Sequence, residues 1–148
     1  MSPRSAAEQD HRELGHSAEI QRILDGFSAR WLCTCSRAFC GDLAMMQVLS
    51  AVALASLAGE EGSASLSASQ IARRTRVPRQ TVTRKLLAMA DKGWVVRCPD
   101  GRWTLDRSTT PPKVSRDLGA LWESVTSLIA GLVADVTTSI EGRTAGHG

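Results

Sequence analysis

Arg79, Gln80, Thr81, Thr83, Arg84 and Lys85 fall within seven residues, and each carries a side-chain hydrogen-bond donor. Guanidinium and amide groups recognise flat arrays of acceptors and donors, whereas ammonium and hydroxyl groups suit phosphate oxygens. Ser69 and Gln70 add two polar groups upstream, and Arg102 follows a Pro-Asp-Gly turn. Such a set binds rather than reacts. The charge distribution points the same way. Residues 66–107 hold ten Lys/Arg against Asp91, Asp100 and Asp106, a net +7, while the rest of the chain holds eight basic and twelve acidic residues, a net −4. A basic block in an otherwise acidic chain is the electrostatic footprint of a polyanion-binding surface.

A second group with reactive side chains is Cys33, Cys35 and Cys40, spaced C-x-C-x₄-C. On a helix, positions i and i+2 point about 200° apart, so Cys33 and Cys35 cannot chelate one ion there. Cys33 and Cys40 share a face but lie about 10 Å apart along it, beyond disulfide reach. No run of His or carboxylates completes a zinc set, since His11, His16 and His147 stand in the terminal segments. The expectation is therefore no metal, no cofactor and inert thiols, with Cys35 as apolar packing. The chain lacks a Gly-rich phosphate loop, a nucleophile elbow, a His–carboxylate cluster and a carboxylate pair in a plausible pocket, so no enzyme is expected.

The elements that must position the polar set can be read from its flanks. Ser67 and Gln70 have capping-box spacing, and a short helix should run from there to about Thr75. Thr75 to Val77 form a turn. Pro78 suits the start of a second helix, whose apolar side is Val82, Leu86, Leu87 and Met89. Lys92-Gly93 ends it, a cation followed by the residue that tolerates positive φ. Trp94 to Arg97 is strand-like, Pro99 to Arg102 is a turn, and Trp103 to Leu105 returns. Helix, turn, helix and hairpin make a winged helix-turn-helix, with Trp94 and Trp103 as packing residues.

At 148 residues, 43% apolar and 22% charged, the chain has the composition of a soluble globular protein. Residues 1–16 read as a flexible tail and 17–148 as one winged-helix domain. Within it, 17–58 hold the N-terminal helices. Ile20, Ile23, Leu24, Phe27 and Trp31 form an amphipathic stripe, and Cys33 to Gly41 a corner. Asp42 caps an all-round apolar helix that should be buried on most sides and end at the Gly59 to Gly62 connector. Residues 63–107 hold the winged helix-turn-helix. Residues 113–141 hold a helix capped by Ser115, whose apolar positions recur in threes and fours from Leu118 to Ile140. A helix of some 25 residues reaches about 37 Å and overshoots so small a core. The N- and C-terminal helices are thus expected to dimerise two-fold. The fold class is mainly α with a small β-hairpin wing. No signal peptide is visible, and the apolar run Leu43 to Ala58 is too short to span a bilayer, so a cytoplasmic chain with no membrane partner is expected.

The pattern Leu66-Ser67-x-x-x-Ile71-Ala72, Val77-x-x-x-x-Val82-x-Arg84 and Gly93-Trp94-Val95 resembles the DNA-binding core of the MarR family of bacterial transcription regulators. One position departs. Arg76 stands where the family's turn carries Gly, and is expected near the left-handed region at an energetic cost. The resemblance implies a homodimer that binds double-stranded DNA at a pseudo-palindromic operator, as a repressor. The second helix would enter the major groove, with Arg79 and Arg84 on guanine, Gln80 on adenine, and Thr81 and Thr83 on phosphate or thymine methyl. Lys85, Ser69 and Gln70 would meet phosphate, and Arg102 the flanking minor groove. Some relatives sense oxidants through a cysteine near the dimer helices, which marks Cys33 or Cys40 for a redox-responsive alternative. A small-molecule effector would sit among Phe27, Trp31, Met45, Met46 and Trp122. A further alternative is a winged-helix adaptor for protein contact, which an acidic or apolar helix front would have favoured.

Overall fold

The structure is a computed structural model that describes residues 3–58 and 64–145. The Gly59 to Gly62 connector and His147 lie outside the described residues. The element order is α1 (Pro3–Ala38), α2 (Leu43–Leu57), α3 (Ala68–Thr75), α4 (Arg79–Asp91), β1 (Val95–Arg97), β2 (Trp103–Leu105), α5 (Lys113–Asp117) and α6 (Gly119–Ala145). This is the expected mainly helical fold with a two-stranded hairpin. Sequence analysis treats residues 17–148 as one domain. Here the chain divides into two compact units, Cys35–Leu121 and the pair Met1–Thr34 with Trp122–Gly148.

The unit Cys35–Leu121 is built on α2, which packs on α3, α4 and β2. Its cap is Asp42, whose Oδ1 accepts from Met45 N at 2.9 Å. One side of α2 is buried through Val48, Leu49, Val52 and Ala55, against Ile71, Val82, Leu86 and Met89. The expectation of burial on most sides is corrected, because Leu43, Leu54 and Leu57 are exposed. Elements pack against one face of this helix, and its composition carries no mark of which face.

β1 and β2 pair antiparallel with Val95 opposite Leu105 and Arg97 opposite Trp103. Leu66 extends this sheet by an isolated bridge to Trp103, exchanging backbone hydrogen bonds of 2.9 and 2.8 Å. The hairpin is tied to α2 by Ser56, whose hydroxyl lies 3.0 Å from that of Thr104 and accepts from Leu105 N at 3.3 Å. Trp94 fills the space below. Phe39 meets it edge-on at 6.3 Å, and its indole Nε1 donates to Asp117 at 2.8 Å. That bond fixes α5, a five-residue helix that also carries a Lys113–Asp117 ion pair.

Two helix boundaries differ from expectation. α1 starts at Pro3, where a flexible tail over 1–16 was expected. Residues 6–14 consist mainly of Ala, Glu, Gln, Arg and Leu, which lose little on entering a helix. The C-terminal helix is not one piece capped at Ser115. α5 begins at Lys113, and Leu118 at φ −102°, ψ 12° interrupts the helix before α6 starts at Gly119. Proline supplies the first boundary, since Pro112 caps α5 and lacks the N–H that a helix interior needs.

The other unit is carried by α1 and α6. Ile20, Ile23, Phe27 and Trp31 are half-buried along α1, with the Phe27 and Trp31 rings 5.8 Å apart. Leu14, Leu24 and Leu32 remain exposed on α1, as do Trp122, Ile129, Val133 and Ile140 on α6. By length and composition alone, α6 is long and apolar enough to cross a membrane.

Candidate nucleic-acid interface

The site is held from its first helix. Ser67 Oγ accepts from Gln70 N at 3.2 Å, and Gln70 Oε1 accepts from Ser67 N at 2.9 Å, a reciprocal capping box at the start of α3. Ile71, fully buried, anchors the helix on its inner side. At the other end Thr75 Oγ1 donates to Ile71 O and accepts from Val77 N, which closes the turn. Arg76 adopts φ 57°, ψ 18°, so a side chain does occupy the left-handed position. Its guanidinium is exposed, as are those of Arg73 and Arg74.

α4 then presents two unlike faces. Val82, Leu86 and Met89 are completely buried. Gln80, Thr83 and Arg84 lie on the opposite, exposed side, and Arg79 is exposed at the first turn. Thr83 Oγ1 donates to Arg79 O at 3.1 Å, and Arg84 Nη2 reaches half-buried Thr81 Oγ1 at 3.5 Å. Leu87, expected in the core, is 52% exposed and shares this outer face. At three to four residues beyond Thr83 and Arg84, it cannot also reach the side that Leu86 occupies.

Three expected contact residues are committed elsewhere. Lys85 Nζ donates to Asp42 Oδ2 at 2.5 Å, so it braces α4 against the cap of α2 instead of standing free for phosphate. Burial pushes the Asp42 carboxyl up. The hydrogen bonds from Lys85 and Met45 N, with the charges of Lys85 and Arg84, outweigh that and hold it below the ordinary carboxylate value. Gln70 is held by the capping box and also faces Arg102, which donates from Nη2 to Gln70 Oε1 at 3.3 Å and to Ser65 O at 2.7 Å. Arg102 is thereby turned inward, and its buried Nε has no hydrogen-bond partner among the described residues. Sequence analysis expects Arg102 to reach the flanking minor groove, whereas here its guanidinium is bonded within the fold. Ser69 is half-buried on α3.

The exposed guanidinium of the hairpin is Arg97, 5.9 Å from the Trp103 ring centroid. Sequence reasoning passed over it. The available signal was its place as the last strand residue before the turn, in cross-strand register with an aromatic residue. The turn itself is closed by Cys98 N to Arg102 O and Gly101 N to Cys98 O, at 2.7 and 2.9 Å, with Gly101 at φ 82°.

Cys33 and Cys40 are exposed and Cys35 is buried, where burial pushes its thiol up. Because α1 continues to Ala38, Cys33 and Cys35 do stand on opposite sides of a helix. Among the described residues no group of three or more His, Cys, Asp or Glu side chains could hold a metal ion. The expected effector walls are divided between the units, with Phe27, Trp31 and Trp122 in one and Met45 and Met46 in the other. None of them lines the cleft of about 1020 Å³ that the structure has between α1 and α6. Its lining mixes apolar surface with charged and hydroxyl groups, among them Glu8, Arg12, Glu13 and Glu19 on α1 and Asp135, Ser139 and Arg143 on α6.

No curated protein and no solved structure matches the chain. Residues 46–102 match the family model described as MarR family. The matched stretch covers most of α2, then α3, α4 and β1, and ends on Arg102 beside β2. Through this stretch, whose helix, turn, helix and hairpin hold the basic outer face described above, the chain is similar to the MarR family of winged-helix transcription regulators.

Proposed function

We propose that the chain binds double-stranded DNA sequence-specifically as a homodimer at a pseudo-palindromic operator, and acts as a cytoplasmic repressor. The observation that carries this reading is the outer face of α4. Arg79, Gln80, Thr83 and Arg84 are exposed together, opposite a fully buried apolar side. Groups of that kind read guanine and adenine edges in the major groove. Arg73, Arg74, Arg76 and Arg97 extend the cationic surface on which phosphates would rest.

Dimerisation is supported by α1 and α6, which leave Leu14, Leu24, Ile129, Val133 and Ile140 exposed. The same apolar face of α6 could instead meet a lipid bilayer. The dimer reading assigns it to a second copy, and sedimentation without detergent separates the two. The adaptor alternative loses ground to the cationic α4 front. Exposed Cys33 and Cys40 keep a redox-responsive version open to test by operator binding before and after peroxide.

The deciding experiment is selection of bound duplexes from a random library at stated salt. A palindromic consensus is the expected result. Weak binding to all sequences would replace the regulator reading with an architectural one, and no binding would leave the adaptor.

A further inference from the structure

Leu87 is the one large apolar side chain on the outer face of α4, and the described residues leave it 52% exposed. It falls with Gln80, Thr83 and Arg84 inside an arc of about 100° around the helix, roughly opposite Val82, Leu86 and Met89. A lone exposed leucine on an ordinary surface calls for no explanation. This one sits among the groups that would face a duplex, where a cation or hydroxyl would add to phosphate binding and an isobutyl group adds nothing.

We infer that Leu87 is a specificity-determining residue that reads the C5-methyl group of a thymine in each half-site. The inference rests on the DNA-binding reading above. The basic residues that flank Leu87 on α4 and in the preceding turn commit this face to a polyanion, not to an apolar protein partner. In the major groove the thymine methyl is the apolar group on offer, while the other edge positions are donors and acceptors. Leu87 therefore discriminates in two ways. It removes a methyl from water when thymine is present, and it strips water from an unpaired polar edge when thymine is absent. It lies about 12 Å along the helix axis from Arg79, so the thymine should stand several base pairs from the pair under Arg79.

The test uses the full chain and its selected operator. Each thymine is replaced in turn by uracil, which deletes the methyl and keeps every hydrogen bond. For the native chain, one symmetry-related uracil pair should weaken binding by about fourfold per half-site, the worth of one buried methyl-sized group. Leu87→Ala should lose a similar factor on the thymine operator and show no further loss at that uracil pair. Leu87→Asn, selected afresh, should lose the thymine preference there and retain the rest of the consensus. An operator indifferent to every uracil replacement overturns the inference while leaving the regulator reading intact. So does a full uracil penalty that persists in Leu87→Ala. Failure to select any operator overturns both.

Discussion

At the scale of single residues, charge alone does not say which arginine or lysine faces outward. Arg84 and Lys85 are adjacent, yet one is exposed on the outer face and the other closes an ion pair with Asp42, 43 residues away. Arg84→Ala is therefore expected to weaken operator binding by about 1–3 kcal/mol if the guanidinium reads a base, with the unfolding midpoint unchanged. Titration of labelled operator against both proteins measures it. Arg102→Ala should behave in the opposite way. It leaves the Ser65 carbonyl without its donor, and stability should fall by about 1–3 kcal/mol in urea unfolding. Affinity, corrected for the folded fraction, should move less than for Arg97→Ala. Asp42 adds a pH dependence. Its carboxyl is held below the ordinary value of about 3.9, so its contribution is complete above that pH and disappears as pH falls through the lower folded value. Asp42→Asn keeps an oxygen for the cap but cannot titrate. At neutral pH it should cost less than about 1 kcal/mol, as for a partly exposed pair. Below about pH 4 its unfolding curve should be flatter than that of the native chain, as followed by circular dichroism.

At the scale of elements, most of the caps and turns encoded within a few residues were legible. The capping box of Ser67 and Gln70, the Asp42 cap, the left-handed Arg76, the Gly93 stop at φ 75° and the hairpin ends all depend on local chemistry. Arg76 invites a direct measurement. Arg76→Gly removes a left-handed strain of about 1 kcal/mol but admits more freedom in the unfolded chain, so stability should rise by less than that amount. The same variant should reduce the salt slope of DNA binding by about one, if the guanidinium meets a phosphate. A loss of stability would mean that the arginine is held by contacts beyond its backbone. One misread boundary coincides with a contact to a distant partner. The break at Leu118 accompanies the bond from Trp94 to Asp117, 23 residues apart, and no local periodicity encodes it. Leu87 was misread for a related reason, since period alone cannot tell the edge of an apolar stripe from its centre.

At the scale of the whole molecule, the proposal requires two cationic faces on one duplex. A dimer that neutralises about eight phosphates should show a logarithmic salt slope near −7, and half-sites about 34–36 Å apart. Binding isotherms from low to high salt give the first, and footprinting gives the second. A slope near −3 with a single protected half-site would mean that one copy binds alone. The sequence by itself determined the winged helix-turn-helix, its basic character and its likeness to one family over residues 46–102, because caps, turns, alternation and charge density act over a handful of residues. Tertiary structure decided which polar side chains are spent inside the fold. Arg102 on Ser65 and Gln70 and Lys85 on Asp42 each join residues more than thirty positions apart. Such pairs form only after packing has brought distant segments together, when leaving a backbone carbonyl or a carboxylate unpaired would cost more than turning a cation inward.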